Sequence, residues 1–220
     1  MKIFFCISLM LLGSCYSAFS LPQTPWSAGI VTTNDNSILQ GEVCYNYAHD
    51  IVMFRKSPEA TITAFSVRDI ASFRYYDEQQ KVVHYYKTFA FQSSEFASRL
   101  GFFEIVVSGD IYYLRRHNQM TYYDGTDERR FAVKKSARIS PHLLCYDYYV
   151  LLGDDVIRAK RFKKEVLPWL MEQNIAINSH IKKNRLSPSF VDHQIQLVQY
   201  ANEQLTLRAA NSQFSASIQP

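Results

Sequence analysis

Glycine and cysteine are scarce, at seven and four in 220 residues. So few cysteines exclude a disulfide-dense miniprotein, and so few glycines exclude a glycine-rich phosphate cradle. A strong excess of one charge is also missing. The net charge of +4 is too mild to imply a polyanion partner, and no nucleic acid is expected to bind. The recurrent catalytic signatures are absent: no Gly-x-Ser-x-Gly elbow, no His-Glu-x-x-His, no Walker loop and no dinucleotide fingerprint. The histidines (His49, His84, His117, His142, His180 and His193) are scattered, with no pair at the i, i+4 spacing of helical metal sites. No catalytic residue, no metal site and no cofactor is therefore expected. What the chain does have is 47% apolar and 15% aromatic side chains, enough for one globular core.

Lys2 is the only charge before Asp35, and the apolar run Ile3 to Leu12 follows it. That run is about half the roughly twenty residues a membrane-spanning helix needs, so residues 1–20 read as a signal peptide. Ala18-Phe19-Ser20 places small residues where a signal peptidase requires them, which favours cleavage before Leu21. Leu12-Gly13-Ser14-Cys15 resembles a lipobox and makes Cys15 the alternative, lipidation site. Simple secretion is preferred. The expected location is exported: periplasmic, outer-membrane-associated or extracellular. Removal of the leader leaves Cys44 and Cys145, and an oxidising compartment permits a disulfide between them. The preferred reading of Cys44 is a small, half-buried thiol on the strand face of Gln40 and Glu42.

From Gly29 to about Ala159 short stretches rich in Tyr, Phe, Val, Ile and Thr alternate with polar turns. Asp35-Asn36 supplies the first hairpin turn, Ser57-Pro58-Glu59 a later one, and Gly153-Asp154-Asp155 the last. A strand is also expected over Met120 to Tyr123. Near Lys160 the period changes: Phe162, Val166, Trp169 and Leu170 share a helical face, with Pro168 kinking that helix or starting a second one. Ile177 and Ile181 mark a short helix. Ser187 and Pro188 open a last one, with Val191, Ile195, Val198, Asn202 and Leu205 on one stripe. The expected fold is α+β. An antiparallel β-meander over 21–159, sandwich-like or open-barrel-like, precedes helices over 160–205 that pack on the sheet, and 206–220 reads as a flexible tail.

Aromatic doublets punctuate the strands, among them Tyr75-Tyr76, Tyr85-Tyr86, Phe102-Phe103, Tyr112-Tyr113 and Tyr122-Tyr123. Neighbours on a strand face opposite sides, so each doublet gives one ring to each face. Either both faces are covered, by a second sheet and by the helices, or one face is an aromatic platform for a glycan or peptide. Tyr76, Tyr86, Tyr112 and Tyr123 are the candidate platform residues.

Positive charge gathers at Arg129, Arg130, Lys134, Lys135 and Arg138, and again between Arg158 and Arg185. A solvated helix face accounts for this, and an anionic lipid, glycan or membrane surface is the sharper alternative. Asp154-Asp155 and Asp124 to Glu128 are acidic, but their spacing suits turns rather than a calcium loop.

The hairpin Gly29-Ile30-Val31-Thr32-Thr33, with Gly41-Glu42-Val43 on its return, then Phe54, Arg68-Asp69-Ile70 and Phe73, resembles uncharacterised exported β-rich proteins of Bacteroidota. Those proteins follow a signal peptide with Gly-x-Ile-Val-Thr and Gly-Glu-Ile, then Asp-Ile-x-x-Phe. The likeness spans about the first half of the mature chain. It implies an envelope location and transfers no activity or site residue. The expected function is a non-catalytic binding or structural module of the cell envelope, partnered by an envelope protein or glycan, with peripheral or lipid-anchored membrane association as an accessory. An extracytoplasmic hydrolase with a noncontiguous site is the first alternative. A small outer-membrane β-barrel is the second, disfavoured by Arg74, Glu104 and Arg115 inside candidate strands.

Overall fold

A computed structural model describes residues 24–94, 97–117 and 146–216. Ten strands come first: β1 Ser27–Thr33, β2 Ile38–Asn46, β3 Ile51–Arg55, β4 Thr63–Phe65, β5 Ile70–Asp77, β6 Val82–Ser94, β7 Ala97–Val107, β8 Ile111–His117, β9 Tyr146–Leu152 and β10 Asp155–Arg158. Three helices follow: α1 Leu167–Glu172, α2 Ile177–Asn184 and α3 Val191–Ala216. The turns form where residues tolerate positive φ, with Asn36 at 65° between β1 and β2 and Gly153 at 57° between β9 and β10. The expected strand over Met120 to Tyr123 lies outside the described residues.

All ten strands pair antiparallel in one open sheet, in the order β10-β9-β8-β7-β6-β5-β1-β2-β3-β4. Only β1 breaks the meander, lying between β2 and β5. No second sheet covers it among the described residues, so the open form of the expectation holds and the sandwich does not. The sheet instead covers itself. Tyr45 on β2 and Phe102 on β7 bring their rings within 5.8 Å, although three strands lie between them. In a flat sheet four interstrand steps would separate them by about 19 Å, so this half is curled. Its concave side holds Val31, Val43, Val52, Phe73, Tyr75 and Tyr86 in one core. Gly29 and Gly41 face each other across β1 and β2 in that curl. A Cβ at Gly41 would stand 2.4 Å from the Arg55 carbonyl oxygen, and one at Gly29 would stand 2.5 Å from that of Arg74, so only glycine fits.

Beyond β6 the curvature reverses. Phe91 on β6 and Tyr149 on β9 meet at 6.2 Å over the opposite face, and β10 returns to contact β6. Phe91, Phe103, Leu114, Tyr149 and Leu151 form that second core. The doublet Phe102-Phe103 therefore feeds two cores, one ring to each concavity.

The helices cover the face that the second curl leaves open. Val107, Ile111, Tyr113 and Val150 pack there against Phe162, Val166, Leu170, Ile177, Leu197, Val198 and Ala201. A π-helical turn over Phe162–Val166 runs without a break into α1, and Pro168 sits in the first turn of α1, where its missing N–H costs little. The last helix begins at Val191, later than Ser187 and Pro188 suggest. Those residues form a turn, held by the Phe190 N–H donating to the Ser187 carbonyl at 3.1 Å and Gln194 Nε2 donating to the Pro188 carbonyl at 2.8 Å.

Two buried amides lock α3 onto β8. Asn202 accepts from the Ile111 N–H at 2.9 Å and donates to its carbonyl at 2.8 Å, while Gln194 accepts from the Tyr113 hydroxyl at 2.7 Å. The helix continues through Ala216, past the tail boundary expected at 206. Leu205, Leu207, Arg208, Ala209 and Ala210 are strong helix formers, and Arg208 donates to the Gln173 and Asn174 carbonyls, tying this stretch to the α1–α2 corner.

Candidate functional site

Strand register builds a polar cluster inside the first concavity. His84 lies opposite Tyr75, Tyr86 opposite Glu104, and Glu104 opposite Arg115, which puts all five on one face. His84 Nδ1 is 2.7 Å from Glu104 Oε1; an ionised carboxylate only accepts, so Nδ1 carries the proton. Arg115 closes a two-point fork on the same carboxylate, Nε to Oε2 at 2.6 Å and an Nη to Oε1 at 2.7 Å. The Tyr86 hydroxyl donates to Oε2 at 3.4 Å, and Asp77 Oδ2 faces His84 Nε2 at 3.6 Å. Burial pushes the Glu104 carboxyl up, but the hydrogen bonds of His84 and Arg115, with the Arg115 charge, hold it below its ordinary value.

His117 stands beside this cluster. Its ring stacks on Tyr47 at 4.1 Å and leans on Tyr146 at 4.4 Å, while the Arg115 guanidinium lies 4.5 Å over the Tyr146 ring. Burial lowers its pKa to about 4; the nearby Glu104 charge opposes that shift and Arg115 adds to it. A second ionic group joins the β2–β3 turn to β8. Asp50 accepts from Arg116 and, at 3.0 Å, from the Tyr45 hydroxyl.

A histidine between two carboxylates is a set of groups that could move a proton. Here it is closed. His84 is 4% exposed and Glu104 6%, and every buried side-chain N or O atom among the described residues has a partner. None of His84, Asp77, Glu104 and Arg115 lines the surface cavities of 420 to 690 Å³. The cluster therefore satisfies buried charge and pins β6, β7 and β8 together.

The opposite, convex face of the first curl is different. Register places Gln40, Ile30, Arg74 and Tyr85 in one lateral row across β2, β1, β5 and β6, with Ile38 and Val83 flanking it. Ile38 is 70% exposed and Val83 55%. Two adjoining grooves of 590 and 420 Å³ share Ile30, Arg74 and Val83 as walls. The Lys87 ammonium sits 5.8 Å from the Tyr85 ring, and Arg55 lies 4.3 Å over Trp26 while bonding Glu42 at 2.6 Å. Nothing in the described chain covers this face. No protein-family model, no curated protein and no solved structure matches the chain.

The sequence candidates divide among these surroundings. Tyr76 lines the larger convex groove, half-buried beside Arg74. Tyr86 is stacked on Phe73 at 4.6 Å inside the first core and offers no ring face to solvent. Tyr112 is half-buried with the Lys87 ammonium 5.5 Å away. Cys44 is fully buried rather than half-buried, its thiol donating to the Thr24 carbonyl at 2.9 Å. Tyr123, Cys15, Cys145, the Arg129–Arg138 basic segment and Asp124 to Glu128 lie outside the described residues. Sequence reasoning missed the His84–Glu104–Arg115 cluster as a unit. The signal was there: a carboxylate and a guanidinium on aromatic strands imply a buried pair.

Proposed function

We propose that this chain is an exported, non-catalytic binding module of the cell envelope that docks a protein through the convex face of β1, β2, β5 and β6. One observation carries the reading: Ile38 and Val83 stand exposed as walls of one groove, with Ile30 and Tyr85 between them, on a sheet face that no element of the described residues covers. Exposed apolar side chains grouped in this way mark interaction sites, and each one fully buried by a partner contributes about 1.5 to 3 kcal/mol. The aliphatic character of Ile30, Ile38 and Val83 favours a protein over a glycan, which would call for stacked rings. Lys56 and Lys87 at the margins give the polar rim such interfaces have. Export is supported by Lys2, the short apolar run and Ala18-Phe19-Ser20.

The hydrolase reading draws support from His84 between Asp77 and Glu104, but His84 and Glu104 are buried and bonded to each other. The membrane-barrel reading needs a closed sheet with an apolar outer face, whereas among the described residues β4 and β10 end the sheet and Gln40 and Arg74 stand in the outward row. A photo-crosslinking amino acid placed at Val83 or Ile38 in the cell tests the proposal. A discrete crosslinked species is expected from both positions and not from Glu59 on the β3–β4 turn. Identical patterns from all three positions would overturn it.

A further inference from the structure

The helical layer carries the densest positive surface of the described chain. Eight lysines and arginines fall between residues 158 and 185, all exposed, against only Glu165 and Glu172. Glu165 is already engaged by Arg161. Large apolar side chains stand among these charges. Arg158 and Lys160 rim a 460 Å³ cleft between β9 and the start of α3, whose other walls include Tyr146, Tyr148 and Phe190, the last 62% exposed. Lys163 and Lys164 follow on the next turn. At the far end Met171 and Leu207 are exposed, Leu207 by 58%. The Arg208 bonds to the Gln173 and Asn174 carbonyls bring that turn of α3 to the corner beside Met171.

We infer that this layer binds the surface of an anionic lipid bilayer. A basic face flanked by exposed apolar side chains suits that surface, with cations meeting lipid headgroups and Phe190, Met171 and Leu207 entering the headgroup and acyl boundary. A soluble acidic polysaccharide would satisfy the lysines and leave the apolar tips unused. Among the described residues no helix is long and apolar enough to cross a membrane, so the contact is peripheral. The inference does not rest on the sheet-face proposal, because the two surfaces share no residue.

The test is sedimentation of the chain from Leu21 onward with vesicles of phosphatidylcholine containing about one third phosphatidylglycerol, beside pure phosphatidylcholine vesicles. Binding is expected to the anionic vesicles only and to fall as salt rises. Each basic side chain near such a surface strengthens partitioning about fivefold, so Lys163→Gln with Lys164→Gln should weaken it about 25-fold. Phe190→Ser should weaken it several-fold, while Val83→Ser should leave it unchanged. All four positions are exposed, and matching thermal melts confirm that the variants fold. Equal binding to neutral vesicles, an undiminished double variant, or equally tight binding to a soluble acidic polysaccharide that displaces the vesicles would overturn the inference.

Discussion

His117 makes the fold sensitive to mild acid, and the size of the effect follows from its surroundings. In the folded chain burial against Tyr47 and Tyr146 holds the imidazole pKa near 4, whereas its ordinary value is 6.5. As pH falls the unfolded chain therefore takes up the proton first. The stabilisation is complete above pH 6.5 and is lost progressively as pH drops towards 4. At pH 5 the loss from this one ring is about 2 kcal/mol, rising to about 3 kcal/mol at pH 4. For a chain of this size 2 kcal/mol lowers Tm by about 4 to 8 °C. The depressed carboxyls of Glu104 and Asp77 act in the same direction only below their ordinary values near 4, burial raises the Asp50 carboxyl and acts the opposite way, and comparison with a variant lacking the imidazole isolates the histidine. His117→Phe keeps an aromatic ring on Tyr47 and removes the proton. Chemical denaturation of both proteins at pH 7 and pH 5 should show the wild-type chain losing about 2 kcal/mol more than the variant. Equal losses would refute the reasoning.

Glu104→Ala leaves His84 and Arg115 facing an empty carboxylate site; because Arg115 still reaches solvent, the loss should sit at the low end for a broken buried pair, about 3 kcal/mol by urea titration. Asn202→Ala strips the buried Ile111 N–H and carbonyl of their side-chain partner, and about 2 to 4 kcal/mol should be lost, with faster hydrogen exchange at the Ile111 amide. Gly41→Ala drives a methyl into the Arg55 carbonyl and the Phe54 ring, and denaturant titration should show a loss of about 1 to 3 kcal/mol. Cys44 should resist thiol reagents in the folded chain and react once urea unfolds it, because its Sγ is buried against Thr24.

Strands and turns were legible because their causes are local. Alternation along Gly29 to Asn46 and the Asp35-Asn36 turn fix the first hairpin without reference to anything distant. The aromatic doublets left two outcomes open, covered faces or an aromatic platform; in the structure curls of opposite sense give each face a core over part of the sheet, while the convex face of the first curl stays exposed. What escaped the sequence is non-local. Nothing in β1 states that its free edge meets β5, some forty residues on, or that β6 should bring His84 into line with Glu104. The extent of α3 escaped for a similar reason, since Arg208 finds carbonyls more than thirty residues away. The candidate binding residues Tyr76 and Tyr86 looked alike in the sequence, and Tyr86 could be assigned inward and Tyr76 outward only once the direction of curl was known. The exposed aliphatic residues of the convex face, Ile38 and Val83, looked like ordinary strand residues, because exposure depends on what fails to pack above them.

The central claim is that the convex sheet face is covered in the cell, outside the cytosol. It is tested most directly by cysteine labelling of Val83→Cys and Glu59→Cys chains in a Cys145→Ser background, using a maleimide that does not cross the inner membrane. Both purified chains should label rapidly. In intact cells Cys introduced at position 59 should label while that at position 83 is protected. Rapid labelling of both in cells would show the face uncovered, and labelling of neither before lysis would place the chain in the cytosol; either result contradicts the account.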